Sequence, residues 1–428
     1  MQEARNRDAT LVTPPVKLRR IVLATIIGNL LEWYDFAIYA FVAGIIGRHF
    51  FPGGSETASL LASFATFGVG FLARPLGAVV IGRLGDARGR KPALLATIFL
   101  MALGTIGVAV VPDYTAIGAW APALLVLCRL LQGFSAGGEL GGSTAFLVEW
   151  APHGRRGLIG SWQQTAVSGG VMLGSAVAAI LTSALSPAQM SAWGWRLAFL
   201  LGGLLVPVGL WLRSAIGETP AFRAAAETTP DDGSSALRLM LRGCGFIMAW
   251  TTYTYICTTY MPTFTEHEAG LSRSAALWSN TIALVALLIA TPLSGLASDR
   301  TGRKAMLVGA NILFILLIYP VLLAMVSSRS VAVILPLQIL LAIMLGMFTG
   351  TAPAAIAEIF PTRSRSLLMS VSYGLTIAIF GGFAPYIATW LIARTGSPFA
   401  PALYVIPVSI VTMVVILASR ETAHEPLR

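Results

Sequence analysis

Apolar runs long enough to cross a hydrocarbon core of about 30 Å recur along the whole chain, separated by short polar breaks. They fall at 21–47, 59–83, 92–111, 120–146, 157–184, 194–212, 240–264, 274–297, 305–326, 331–356, 366–392 and 399–419, and predict twelve membrane helices. Gly and Pro inside these runs (Pro75, Gly133, Gly137, Gly170, Gly174, Pro353, Pro385) suit membrane helices, where small residues let backbones approach and neighbours re-satisfy freed backbone groups. One long polar interruption, Ser214 to Ala236, separates six runs from six. The predicted organisation is a tail at 1–20, a six-helix bundle at 21–213, a linker at 214–237, a second six-helix bundle at 238–420 and a tail at 421–428.

Composition narrows the class. Hydrophobic residues make up 56% and charged residues 11% of the 428 positions, against about a quarter charged in soluble chains. The net charge of +10 sits in short interhelical loops, which points to membrane orientation and a lipid bilayer rather than nucleic acid. With the N-terminus inside, the cytoplasmic loops hold Arg83, Arg88, Arg90, Lys91, Arg155, Arg156, Arg213, Arg223, Arg238, Arg242, Arg300, Arg303, Lys304, Arg363 and Arg365. The opposite loops hold Arg48, Arg196, Arg273, Arg329 and Arg394. Both termini are therefore predicted to be cytoplasmic, in a multi-pass protein of the cell inner membrane. Trp193 and Trp195 fit an interfacial aromatic belt. Cys128, Cys244 and Cys257 have neither metal-ligand nor disulfide spacing.

The halves repeat. Gly82–Lys91 (GRLGDARGRK) and Gly295–Lys304 (GLASDRTGRK) align as G-x-x-x-D-x-x-G-R-K, with Asp86 matching Asp299. Glu149-Trp-Ala-Pro152 before Arg155 and Arg156 matches Glu358-Ile-Phe-Pro361 before Arg363 and Arg365. Parallel repeats with a site at midplane are a transporter architecture. The loops lack phosphate-loop spacing, so the energy source is a gradient, no cofactor is implied and enzyme chemistry has no support. Asp86, Arg90, Glu149, Arg156, Asp299, Arg303 and Glu358 read as a cytoplasmic gate, in which a carboxylate takes a helix N-terminus or a neighbouring Arg.

Ionisable residues inside the runs are the functional candidates. Glu32 and Asp35 lie three apart in GNLLEWYDFAIYAF (28–41), on one helical face. Arg74 and Arg129 cannot shed their charge. Each answers either to an anionic ligand or to a fixed pair with Glu32, Asp35 or Glu139. Glu32, Asp35 and Glu139 are candidates for the coupling proton. Gln163 and Gln164 offer amide donors to a carboxylate or to a neighbouring helix. Tyr253 and Tyr373 are candidates for a ligand hydrogen bond. His267, flanked by Glu266 and Glu268, reads as a solvated loop tip rather than a metal site.

The duplicated charged loops resemble the signature of the major facilitator superfamily. GNLLEWYDFAIYAF, Gly70–Gly77 (GFLARPLG), Gln132–Glu139 (QGFSAGGE) and Trp193-Gly-Trp-Arg196 together resemble its metabolite:proton symporter branch, across essentially the whole chain. That branch includes citrate, tricarballylate, 2-oxoglutarate, shikimate and proline/betaine carriers. LQGFSAGGELGG (131–142), Ser161-Trp-Gln-Gln164 and Ala378–Pro385 look closest to the citrate and tricarballylate carriers. Trp33-Tyr34 departs from the Gln-Phe of those carriers and also suits other members. The resemblance implies an all-α fold of two six-helix bundles, with Arg129 tied to proton coupling. It also implies proton-driven uptake of a small organic anion, a tri- or dicarboxylate such as citrate. The rival within the branch is a proline/betaine osmolyte carrier or other monoacid symporter; an osmolyte carrier would use Arg for the carboxylate and an aromatic box of Trp33, Tyr34 and Tyr253 for the cation. The long C-terminal extension often borne by osmolyte carriers counts against that rival, since the sequence stops eight residues after Arg420. A rival of another class is a non-transporting membrane sensor. A bundle of this size can work as a monomer, and the sequence leaves the oligomeric state open.

Overall fold

The computed structural model describes residues 29–88, 90–152, 154–214, 233–361, 365–425 and 427. It describes the backbone but not the side chains at 82, 85–88, 90–94, 138–142, 146, 205–214 and 233–236. The predicted tail 1–20 and nearly all of the linker lie outside this description, as do the side chains of Asp86, Arg90 and Glu139.

The described part of each apolar run is largely helical. We number the long helices α1 (Asn29–Phe41 and Ala43–Phe50), α2 (Glu56–Leu72 and Arg74–Arg88), α3 (Arg90–Val110), α4 (Trp120–Ser135, then Glu139–Glu149), α5 (Arg156–Ala184) and α6 (Trp195–Ser214). The second half holds α7 (Gly233–Thr254, continuing to His267), α8 (Arg273–Thr301), α9 (Arg303–Ser328), α10 (Val331–Ile359), α11 (Arg365–Thr376, continuing as Ala384–Thr395) and α12 (Pro401–Leu417). Among the described residues, six helices are long and apolar enough to cross a membrane unaided, or seven if bent α1 is one span. Others are apolar but short, including Trp120–Ser135 and Pro401–Leu417. The twelve predicted spans are thus not uniform rods.

The interruptions fall in related places. α1 bends by 63° at Val42, and α7 passes through a π-helical turn at Tyr255–Tyr260. Val42 and Tyr255 are 213 residues apart, the same separation as Asp86 and Asp299. α11 carries a second π turn at Ile377–Gly381. Such turns widen a helix locally and often mark functional sites.

Glycines set the closest crossings. A Cβ on Gly133 of α4 would fall 1.5 Å from the Gly70 carbonyl of α2, and one on Gly137 would fall 2.1 Å from that of Arg74. In the second half Gly346 of α10 meets Ala290 and the Thr291 amide of α8. Gly137 and Gly346 are 209 residues apart, as are Glu149 and Glu358, so the repeat extends from the loops into helix packing. The halves meet along two seams. One joins α5 to α8 and α10. At the other, Gly68 and Phe71 of α2 face Phe383 and Gly382 beside α11.

One sequence expectation is corrected. Trp193 is 46% exposed and suits a lipid interface, but Trp195 is fully buried. Its ring packs against His49, Phe50 and Phe199, and the Arg196 guanidinium covers it at 4.4 Å.

Candidate functional site

The first helix supplies two carboxylates with different surroundings. Glu32 accepts from Arg74 at 3.3 Å, with both side chains buried. The Arg74 guanidinium also lies 5.3, 4.6 and 4.8 Å from the rings of Trp33, Phe36 and Phe71. Asp35, one turn further, has no guanidinium in direct contact. Its Oδ2 accepts from Gln132 Nε2 at 3.1 Å and from the Thr105 hydroxyl of α3. Gln132 turns its carbonyl oxygen to Arg129 Nη1 at 2.7 Å. The order is therefore Arg129, Gln132, Asp35: a cation linked to a carboxylate through a neutral amide. The other carboxylate oxygen, Oδ1, has no partner and faces Gly202 of α6.

Arg129 is fully buried under Phe36, Tyr39 and Phe67, at 5.0, 4.5 and 5.3 Å. Its Nε and Nη2 have no hydrogen-bond partner, nor has Nε of Arg74. Tyr255 closes the cluster from the second half. Its ring lies 5.5, 5.9 and 6.2 Å from Phe71, Phe67 and Trp33, and its buried hydroxyl is unpartnered. Leaving buried N–H and O–H groups unmatched costs about 1–3 kcal/mol each, so these atoms are free to meet a polar ligand.

The remaining predicted residues divide. Gln163 and Gln164 of α5 are buried, with both polar atoms of Gln163 and Oε1 of Gln164 unpartnered. Tyr373 packs on Trp250 at 5.6 Å, and the next residue, Gly374, lies against Pro75 beside Arg74. Tyr253 is not at the centre. Its hydroxyl lies 2.7 Å from Asn311 Oδ1 in α9 and 2.6 Å from Ser409 Oγ in α12, and its ring stacks on Phe314 at 3.7 Å. It braces the second half, and Tyr255 stands where Tyr253 was expected. Tyr34 likewise leaves the predicted aromatic box, donating to the Ala198 carbonyl at 2.7 Å. The box that exists is Trp33, Phe36, Phe67, Phe71 and Tyr255.

The Arg-rich face is closed by charge. Asp299, at the end of α8, accepts the first amides of α5, Gly157 and Leu158, at 2.8 and 2.9 Å, so it occupies a helix N-terminus. Arg303 pairs with Asp299 at 2.8 Å and with Glu358 at 3.2 Å, while Arg156 reaches Glu358 at 3.8 Å. Glu149 pairs across the halves with Arg365 at 2.7 Å. The segment after α12 is docked rather than free. Glu421 accepts the Arg303 and Lys304 amides at 2.9 Å each, Thr422 donates to Glu358, and Arg156 donates to the Glu425 carbonyl at 2.8 Å.

A family profile described as "Sugar (and other) transporter" matches residues 21–240, and one described as "Major Facilitator Superfamily" matches residues 243–428. The chain belongs to the major facilitator superfamily. It is 33% identical to the proline/betaine transporter of Escherichia coli K12, with 99% of this chain and 87% of that protein aligned. It is 37% identical to the citrate-proton symporter of Klebsiella pneumoniae over 90% of this chain and 87% of that protein. It is 34% identical to the ectoine/proline transporter ProP of Corynebacterium glutamicum over 98% of this chain and 87% of that protein. Among solved structures, the proton:xylose symporter XylE bound to 6-bromo-6-deoxy-D-glucose superposes with a TM-score of 0.79 at 18% identity, covering 96% of this chain and 97% of that one. That likeness establishes the all-helical major facilitator fold, and the protein is a multi-pass membrane transporter rather than an enzyme.

Proposed function

We propose that the protein is a proton-coupled symporter of the metabolite:proton branch that takes up a small carboxylate-bearing zwitterion, of the proline or betaine class, across the cell inner membrane. The observation that carries this reading is the buried centre: two guanidinia with unpartnered N–H groups, ringed by five aromatic side chains. A carboxylate of the solute takes the open N–H groups of Arg74 and Arg129, and its cationic end takes an aromatic face. Glu32, Asp35, Arg74 and Arg129 sum to zero charge. With the coupling proton on Asp35, a zwitterion leaves a single positive charge in the loaded centre, whereas a tricarboxylate trianion leaves two negative charges, the costlier burden in a dry site. This moves the preferred solute from the citrate class expected from the sequence to the osmolyte class, in keeping with the proline/betaine and ectoine/proline relatives.

Asp35 takes the coupling proton. Protonation removes the charge that holds Gln132, and Gln132 in turn releases Arg129 toward the solute. The two bundles, 21–213 and 238–420, then rock about the centre, and the charged inner gate opens as the outer side closes. The second reading, a citrate carrier, is favoured by the Klebsiella pneumoniae relative. Uptake of labelled betaine, proline and citrate into proteoliposomes under an inward proton gradient separates the two. Uncoupler-sensitive betaine or proline uptake that excess citrate does not compete supports the zwitterion. Uncoupler-sensitive citrate uptake that betaine and proline leave untouched overturns it.

A further inference from the structure

The two faces of the seam between halves are held by different chemistry. The inner face carries the ion pairs described above. On the outer face α5 and α8 join through neutral groups: Ser175 with Thr281 at 2.8 Å, Asn280 with Ser175 at 3.2 Å, Ser183 with Ser274 at 2.8 Å and Trp278 with Ser183 at 3.1 Å. Arg273, the first residue of α8, adds a charge there. Its Nη1 pairs with Glu266 at the end of α7 at 3.0 Å. Its Nη2 crosses to the other half and donates to the Phe41 carbonyl of α1 at 2.5 Å.

The bend in α1 makes that carbonyl available. In an unbroken helix the Phe41 carbonyl takes the Ile45 amide. Here the Ile45 amide turns to the Val42 carbonyl at 3.0 Å, and Arg273 takes the place it leaves. Arg273 and Glu266 are each about a quarter exposed, within reach of the outer solution. Ala40, Gly44, Leu60, Pro262 and Leu277 line the pocket beneath them.

We propose that Glu266, Arg273 and the Phe41 carbonyl form a releasable clasp of the outer gate. Arg273 is a positioning residue: it holds the outer segment of α1, Ala43–Phe50, against the second half. Glu266 aims the guanidinium and balances its charge. The centre becomes reachable from outside when the guanidinium leaves the carbonyl and the outer segment swings about the bend. The neutral contacts of α5 and α8 are each weaker than a charge-assisted bond, so the clasp is the step that sets outer opening. This inference rests on the transporter reading for the need to open, but not on the identity of the solute.

Thiol labelling tests it without any transport assay. Ala40 is 1% exposed and lines the pocket under the clasp. Ala40→Cys is made with Cys128, Cys244 and Cys257 replaced by Ser, and is reacted with a charged, membrane-impermeant methanethiosulfonate from the outside. Arg273→Gln is expected to raise the labelling rate at least about tenfold, the scale of one charge-assisted hydrogen bond. Glu266→Gln is expected to raise it less, and Arg273→Lys to stay near the parent. Asp299→Asn, which weakens the opposite gate, is expected to slow it. Equal rates in the parent and Arg273→Gln overturn the proposal. If Arg273→Gln does not assemble, an unchanged rate in Glu266→Gln overturns it instead. Failure of betaine transport in a protein whose labelling responds to the clasp overturns only the solute assignment.

Discussion

On the proposed mechanism, the arrangement around Asp35 separates proton chemistry from solute chemistry at the residue scale. Glu32 is in direct contact with the Arg74 guanidinium. Asp35 is reached by neutral donors alone, with one oxygen unmet. Asp35→Asn is therefore expected to lower proton-driven uptake about a hundredfold or more, the scale of removing a proton-transfer group. Solute exchange across the same proteoliposomes is expected to persist, and loss of both activities would assign Asp35 a structural role. Gln132→Leu breaks the link between Arg129 and Asp35 and leaves both buried charges short of partners. It is expected to destabilise the protein by about 1–3 kcal/mol, read as a lowered melting temperature in detergent. Glu32, Asp35, Arg74 and Arg129 were legible in the sequence because an ionisable residue within an apolar run has few explanations. Thr105 was not: a threonine in a membrane helix ordinarily bonds back to its own helix, and Thr105 also does so, to Met101 at 2.9 Å. Tyr255 was not legible either: most tyrosines in a membrane helix only pack, and nothing in the sequence sets Tyr255 apart from Tyr253.

Packing between elements turns on glycines and on helix termini. Gly133→Ala would drive a methyl group into the Gly70 carbonyl. The α2–α4 crossing must then open, and with it the spacing of Arg74 and Arg129, so we expect sharply reduced yield of folded protein in fluorescence size-exclusion. Gly54 meets nothing within 4 Å, and Gly54→Ala serves as the tolerated control. At the inner face, burial pushes the Glu421 carboxyl up, but the amides of Ala423, Lys304, Arg303 and Thr422 outweigh it and hold it below its usual value. Because its folded pKa is depressed, this contact contributes stability above the unfolded value of about 4.3. The contribution is lost as pH falls through the lowered folded value. Protection of the Arg303 and Lys304 amides, taken relative to the intrinsic exchange rate at each pH, is expected to be high at neutral pH and to fall in acid, whereas in Glu421→Gln it should be low throughout. The helices themselves were readable from apolar run length. The docking of 421–425 was not, since a short polar segment after a last helix has no periodicity to report its contacts.

For the whole molecule, the duplicated loops imply a two-fold architecture, and the repeat extends to the glycine crossings and the paired breaks of α1 and α7. What the repeat does not convey is asymmetry. The carboxylates and guanidinia of the centre come from the first half, while Tyr255 and Tyr373 come from the second. The Arg-rich face of the seam is held by ion pairs and the opposite face mostly by neutral groups. On the proposed gating, a molecule held this way rests with its inner side shut. Asp299→Asn removes the charge that caps α5 and weakens the hold on Arg303, and is expected to shift the population toward the inward-open form. Increased reactivity of a cysteine placed at Ala354, which is buried beside α5, would report it from the cytoplasmic side. Unchanged reactivity would mean that the ion pairs only solvate the face.

Coupling is most directly read from the proton itself. Betaine is added outside proteoliposomes that hold no pre-formed gradient, in weak buffer, while external pH is recorded. The expected result is a transient alkalinisation that saturates with betaine, is abolished by an uncoupler, and is absent in Asp35→Asn although labelled betaine still equilibrates. Betaine entry without alkalinisation, or equal alkalinisation in Asp35→Asn, would contradict a symporter coupled through Asp35.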